Sequence, residues 1–165
     1  VLGGSTVKYR IISVGRIREP FYVDGIHEYL KRLGPYCNLE LVDGLEEKVS
    51  PRAGPKEVEK VLEKEAGRIR SLLGNDDLLI VLDSRGRQLS SEDLAGHVAQ
   101  WNGSGHSRVN LVVGGSHGLS NDLKCQADLS ISFSLMTFPH QMAVLILAEQ
   151  IYRGFKILKN EPYHK

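Results

Sequence analysis

The segment DDLLIVLD, residues 76–83, constrains this chain more than any other stretch. Leu78 to Leu82 form an unbroken apolar run, so a strand here has no polar face and must be covered on both sides. Val109 to Val113 (VNLVV) repeats the pattern with only Asn110 interrupting it. Strands buried on both faces belong to parallel sheets, and each parallel pair needs a crossover long enough to hold a helix. The sequence supplies those crossovers. Tyr22, Ile26, Tyr29, Leu30 and Leu33 recur at helical spacing from Pro20 until Gly34-Pro35 stops them. Val58, Val61, Leu62, Ile69, Leu72 and Leu73 mark a long amphipathic helix. Ser90 or Ser91 caps a helix running to about Trp101, with Glu92 and Asp93 suited to the positive end of its dipole. A short helix follows Ser120, and a last one spans about Gln141 to Leu158. VKYRIISV, CNLELV and LSISFS read as further strands. This alternation predicts an α/β fold with a mostly parallel sheet flanked by helices on both faces.

Length sets the scale. At 165 residues the chain fits one domain spanning 1–165, with the small and polar VLGGST at 1–6 as a flexible leader. The apolar fraction of 41% and charged fraction of 25% are those of a globular protein, so a real core is expected. No stretch approaches the roughly 18 uncharged apolar residues of a membrane span, since Glu149 breaks AVLILA. A net charge of +1 does not announce a nucleic-acid binder, although a local patch suffices for one. Arg16, Arg18, Lys31, Arg32, Arg85, Arg87, Lys156 and Lys159 are candidates for such a rim, and each also reads as ordinary solvated surface. Cys37 and Cys125 lie far apart without ligand spacing, which predicts free thiols and no metal site.

In parallel α/β sheets, ligands bind outside the carboxyl ends of the strands. Three loops occupy those positions: DSRGRQLSS, GGSHGLSND and LMTFPHQ. Gly114-Gly115 follows a buried strand and lets backbone approach a ligand, or it serves a tight turn. It is neither a dinucleotide fingerprint nor a phosphate loop of the GK[ST] kind. LMTFPHQM brings Met136, Phe138 and Met142 beside Thr137 and His140. That mixture suits a flat heteroaromatic ligand with a thioether-like tail, or it simply plugs the end of the sheet. In the last helix, Glu149, Arg153 and Lys156 fall on one face as an ion pair or as site residues. His117, His140 and His164 lie in the site loops or the C-terminal PYHK tail.

Taken in order, VGR, EYLKRLGPY, KEAGRI, LD-x-x-G, VVGGSHGL, SFSLMTFPHQM, AEQIYRGFKI and the terminal PYHK resemble the RlmH family. These are SPOUT-class methyltransferases of pseudouridine in large-subunit rRNA, and the likeness runs from about Val7 to Lys165. It implies a SPOUT (α/β knot) fold with a C-terminal trefoil knot, against the general rule that chains do not thread their own loops. It also implies a homodimer that uses S-adenosylmethionine to methylate N3 of a pseudouridine in the assembled ribosome. Mapped onto this chain, the cofactor is expected at Leu82, at Gly114 with Gly115, and along Phe133, Ser134, Leu135, Met136, Thr137 and Phe138.

For the chemistry, the imide N3 must lose a proton before it attacks the methyl sulfonium. His164 is the first candidate to assist and His140 the second, with Tyr163 beside His164 in a tail that reaches a cofactor site of the dimer. Arg153, oriented by Glu149, is expected to hold a phosphate or the uracil edge. Bacterial relatives usually carry arginine where this chain has Val144, which bears on RNA affinity or target identity. The compartment is cytoplasmic for a bacterial member and chloroplast or mitochondrial for a eukaryotic one. The rival reading is a non-catalytic RNA-binding or ribosome-assembly factor on the same scaffold. More distant is a flavodoxin-like nucleotide-binding module, which would lack salt-dependent RNA binding.

Overall fold

The structure, a computed structural model, describes residues 7–165, so the expected leader at 1–6 lies outside the described residues. Strands and helices alternate: β1 (Lys8–Ser13), α1 (Pro20–Leu33), β2 (Asn38–Val42), α2 (Pro55–Leu72), β3 (Asp77–Gln88), α3 (Ser91–Asn102), β4 (Arg108–Val113), α4 (Asn121–Gln126), β5 (Leu129–Ser132) and α5 (His140–Leu158). The strands form one sheet in the order β2-β1-β4-β3-β5, and every neighbouring pair is parallel. The apolar runs that demanded burial on both faces lie at its centre, as β3 and β4.

Alternation along each strand divides the core in two. Ile11, Ile80, Leu111 and Val113 pack with residues of α1, α3 and α5. Their neighbours Ile12, Val81 and Val112 pack with Ala66 and Ile69 of α2 and Leu123 of α4. The last helix, α5, lies against both α1 and α3. Val144, Ala148 and Ile151 on α5 are completely buried. Truncating Ile151 to alanine costs about 2–5 kcal/mol, the lost transfer energy plus a cavity term. Because Val144 is enclosed, this position does not meet solvent in this chain.

Two element boundaries differ from the sequence-based expectation, each for a local reason, while the cap of α3 falls at one of the two serines expected. The polar stretch DSRGRQ is strand rather than loop: β3 runs to Gln88. Its register against β5 shifts, so that Leu82 and Arg87 both oppose Ile131. Residues 83–86 therefore bulge out, and Gly86 makes the return possible. A Cβ there would lie 2.8 Å from the backbone of Ile131. β5 stops at Ser132, before Phe133. There the Ser132 hydroxyl donates to the Ser134 carbonyl (2.9 Å) and Ser134 Oγ accepts from the Met136 amide (3.0 Å), a turn that competes with the ladder. α3 is capped by Ser90, whose hydroxyl accepts from the Asp93 amide while Asp93 accepts from the Ser90 amide.

Candidate active site

A cleft of about 220 Å³ opens at the carboxyl ends of β3, β4 and β5. Leu82, Gly114, Gly115, Phe133, Ser134, Met136, Thr137 and Phe138 all line it, as does His140. Leu135 does not; it is 87% exposed. The three loops selected from the sequence thus meet in one place because parallel strands deliver all their carboxyl ends to the same edge.

Close backbone approach shapes this cleft. Gly118 has a positive φ of 79°, and its amide donates to the Gly115 carbonyl at 3.0 Å, closing a tight turn. A Cβ on Gly114 would lie 2.8 Å from the Gly118 backbone. Gly114 is therefore required by the turn itself, whereas a Cβ on Gly115 would meet Val14 at an ordinary 3.4 Å; the bared backbone on the cleft wall is a consequence of the turn. His140, the first residue of α5, lies over Gly15, where a Cβ would come within 2.5 Å of its ring. Its Nε2 is 3.0 Å from the Arg16 carbonyl, which can only accept, so Nε2 carries the hydrogen. Lys124 from α4 reaches Asp83 in the β3 bulge at 3.5 Å on the same wall.

The tail is held elsewhere. Arg153 donates through Nη2 to Glu149 Oε2 at 2.7 Å, and Tyr163 donates its hydroxyl to the same oxygen at 2.8 Å. Gln150 donates to Glu149 Oε1 at 2.7 Å. Burial works against a charged Glu149, but these hydrogen bonds outweigh it and hold the carboxyl below the usual range. Burial and hydrogen bonds to Tyr29 and Glu149 push the Tyr163 hydroxyl the other way, so it remains a donor. The Arg153 guanidinium also stacks over the Tyr163 ring at 4.8 Å.

His164 bridges two helices. Arg153 Nη1 lies 3.0 Å from its Nδ1, and Glu92 Oε1 on α3 lies 2.7 Å from its Nε2. Guanidinium can only donate, so Nδ1 accepts and Nε2 gives its hydrogen to Glu92. Glu149, Arg153, Tyr163 and His164 are therefore one bonded cluster. His140 is not part of it. His140 and Arg153 are thirteen positions apart on α5, about 20 Å at helical rise. His117 does not line the cleft; its Nδ1 lies 3.2 Å from the Ser116 hydroxyl.

The model of the family described as "Predicted SPOUT methyltransferase" matches residues 7–164. The chain belongs to the SPOUT methyltransferase family. A relative from Syntrophomonas wolfei, named ribosomal RNA large subunit methyltransferase H, is 63% identical over 159 residues, covering 96% of this chain and all of the relative. A relative of the same name from Moorella thermoacetica is 46% identical over 94% of this chain and 97% of its own length. In fold, the chain is similar to a methylase family protein from Neisseria gonorrhoeae, with TM-score 0.57 at 19% identity, covering 100% of this chain and 89% of that one.

A SPOUT methyltransferase needs a methyl donor, and the cleft has suitable materials for one. Phe133, Met136 and Phe138 offer apolar and polarisable surface, while the Gly114-Gly115 backbone and the Ser134 and Thr137 hydroxyls offer hydrogen bonds. Among the described residues no group of three or more His, Cys, Asp or Glu could hold a metal ion. Nor is any helix among them long and apolar enough to cross a membrane. Sequence reasoning passed over Asp83, Lys124 and Glu92 as site residues. Asp83 carried a signal, since it ends the apolar run of a central strand. Lys124 and Glu92 are brought in by tertiary packing and carried none.

Proposed function

We propose that this chain is an S-adenosylmethionine-dependent methyltransferase that modifies N3 of a pseudouridine in large-subunit rRNA, working as a homodimer. The observation that carries the reading is the convergence of Leu82, Gly114 and the Phe133–Phe138 loop on one cleft at the sheet edge. The 63% identity to a protein named for large-subunit rRNA methylation supports the choice of substrate. S-adenosylmethionine supplies, when bound, an electrophilic methyl group on a sulfonium. A trefoil knot in the C-terminal half belongs to the same proposal, and the family match supports it.

This chain's own residues then have three tasks. The bared Gly114-Gly115 backbone and the apolar wall at Phe133 and Phe138 hold the donor and exclude water. His140 lines the cleft with Nε2–H committed to the Arg16 carbonyl, which leaves Nδ1 as the nitrogen able to take the imide proton. Arg153, fixed by Glu149, offers a guanidinium to a phosphate or to the anionic uracil edge. His164 cannot accept a proton at Nδ1 while Arg153 donates to it. Since the cluster lies about 20 Å along α5 from His140 in one chain, the dimer is what gives the tail a role: one subunit's tail serves the other's cleft.

The test is calorimetric titration with S-adenosylmethionine, followed by transfer of labelled methyl to ribosomes purified from a strain lacking the modification. Saturable binding and incorporation at a single pseudouridine are expected. Binding without transfer to any ribosomal particle would favour a non-catalytic assembly factor, and absence of binding by the folded protein would refute the reading.

A further inference from the structure

The cleft wall is almost entirely backbone, apolar side chain and hydroxyl, and two residues stand out against it. Asp83 and Lys124 are its formally charged members, apart from the imidazole of His140. Their side chains are 17% and 28% exposed, so both are substantially withdrawn from water. Partial burial of two ions costs solvation that a mediocre pairing does not recover. This pairing is mediocre: Nζ to Oδ1 is 3.5 Å, against about 2.7–2.9 Å for a strong charge-assisted hydrogen bond. The other contact to Asp83 Oδ1 is the Arg85 amide at 3.4 Å, also long. Both ions therefore retain hydrogen-bonding capacity, and the cleft is where they can use it.

Their placement is built into the fold. Asp83 opens the β3 bulge that Gly86 makes possible, which keeps it out of the strand ladder and on the cleft wall. Lys124 rides on α4, whose position is fixed by the Ser120 cap on the Leu123 amide and by complete burial of Leu123. A cation and an anion from different elements, side by side in a cleft, complement a ligand that carries both signs on one end.

We infer that Asp83 and Lys124 recognise the zwitterionic amino-acid end of the methyl donor, with Lys124 taking the carboxylate and Asp83 the ammonium. The inference rests on the reading of this cleft as an S-adenosylmethionine site. One loose ion pair is exchanged on binding for two ligand-bridged ones. The pair selects donors and products with an intact amino-acid end over nucleosides that lack it.

Three probes test this by calorimetry: S-adenosylmethionine, S-adenosylhomocysteine and 5′-methylthioadenosine, which keeps the nucleoside and the thioether but has no amino-acid end. They are titrated into the unmodified protein and into Asp83→Asn and Lys124→Met, each close in shape to the residue replaced. Each substitution is expected to weaken the first two probes by about tenfold or more, as for loss of a hydrogen bond to a charged group. The affinity for 5′-methylthioadenosine is expected to stay within about twofold. Equal weakening of all three probes would mean that the pair only shapes the cleft, and unchanged affinity for S-adenosylmethionine would mean that it touches no ligand; either overturns the inference alone. An unmodified protein that binds none of the probes overturns the cleft reading itself and the inference with it.

Discussion

The cleft at the sheet edge is walled by backbone and apolar groups brought close by glycine, whereas the tail is held on α5 by side-chain hydrogen bonds between charged and polar groups. Gly86 and Gly114 each face backbone that leaves no room for a Cβ. Glu149, Arg153, Tyr163 and His164 instead bond to one another, and Glu92 takes the remaining imidazole hydrogen. Backbone-built surfaces fail when atoms are added, because close-packed chain cannot retreat. Side-chain networks tolerate volume but fail when a charge or donor is removed. The two regions should therefore answer to different substitutions, and they should separate donor binding from the later steps of methyl transfer.

The largest effect is expected from Gly114→Val. Its Cβ would stand 2.8 Å from the Gly118 backbone, so the turn must open or the strand end must shift. A destabilisation of about 2–4 kcal/mol is expected, with donor affinity lowered by about 100-fold or more. Urea unfolding and calorimetry measure the two. Donor affinity within about threefold of the original would show that close backbone approach does not shape the cleft.

Next comes Arg153→Met, which keeps much of the volume and removes every donor that the guanidinium gives the tail cluster. Glu149 then loses its ion pair and His164 loses its Nδ1 partner. A loss of about 1–3 kcal/mol in stability is expected, with methyl transfer down by about tenfold or more and donor affinity within about twofold. A parallel fall in donor affinity would erase the contrast between the two regions.

Much of this contrast was legible in the sequence, for physical reasons that vary by residue. The apolar runs at 78–82 and 109–113 have no polar face, so central parallel strands were the remaining solution. Parallel strands in turn send Leu82, Gly114 and Phe133 to one edge. Asp83 to Gly86 looked like loop because their side chains are polar, and the bulge that keeps them in β3 depends on the absence of a Cβ against Ile131. Sheet order was out of reach because it is decided by which helix covers which face. Sequence distance does not reveal that α5 runs unbroken from His140 to Leu158, or that His164 folds back as far as Arg153. Glu92 signalled a helix start, which it is, and its contact with the tail comes from the packing of α3 on α5.

A smaller effect depends on pH. Glu149 has a folded pKa below its unfolded value, so its contribution to stability is fully present above the ordinary carboxylate range and is lost as pH falls through the depressed folded value. Melting curves of the original protein and of Glu149→Gln should therefore differ most near pH 7 and draw together as the solution is acidified below about pH 4. A constant gap between the two proteins across that range would mean that Glu149 contributes through packing rather than through its charge.

The smallest effect is expected at Glu92, and its size is informative because the residue touches the tail at a single point. Its carboxyl is held below the usual range first by the hydrogen bond from His164, yet it lies in solvent, where such pairs contribute little to stability. Glu92→Ala should move the melting temperature by no more than about one degree. It also leaves the His164 ring anchored at Nδ1 alone, free to turn about that contact. If the orientation of His164 matters for transfer, activity should fall by about two- to fivefold with donor affinity unchanged. Glu92→Gln, whose amide oxygen can still accept from Nε2, should recover most of that loss. An alanine variant as impaired as Arg153→Met would make the ring's orientation, rather than the Arg153 guanidinium, the contribution of the tail. An alanine variant with full activity would assign the contact with α3 to parking the tail when it is not engaged with a partner's cleft.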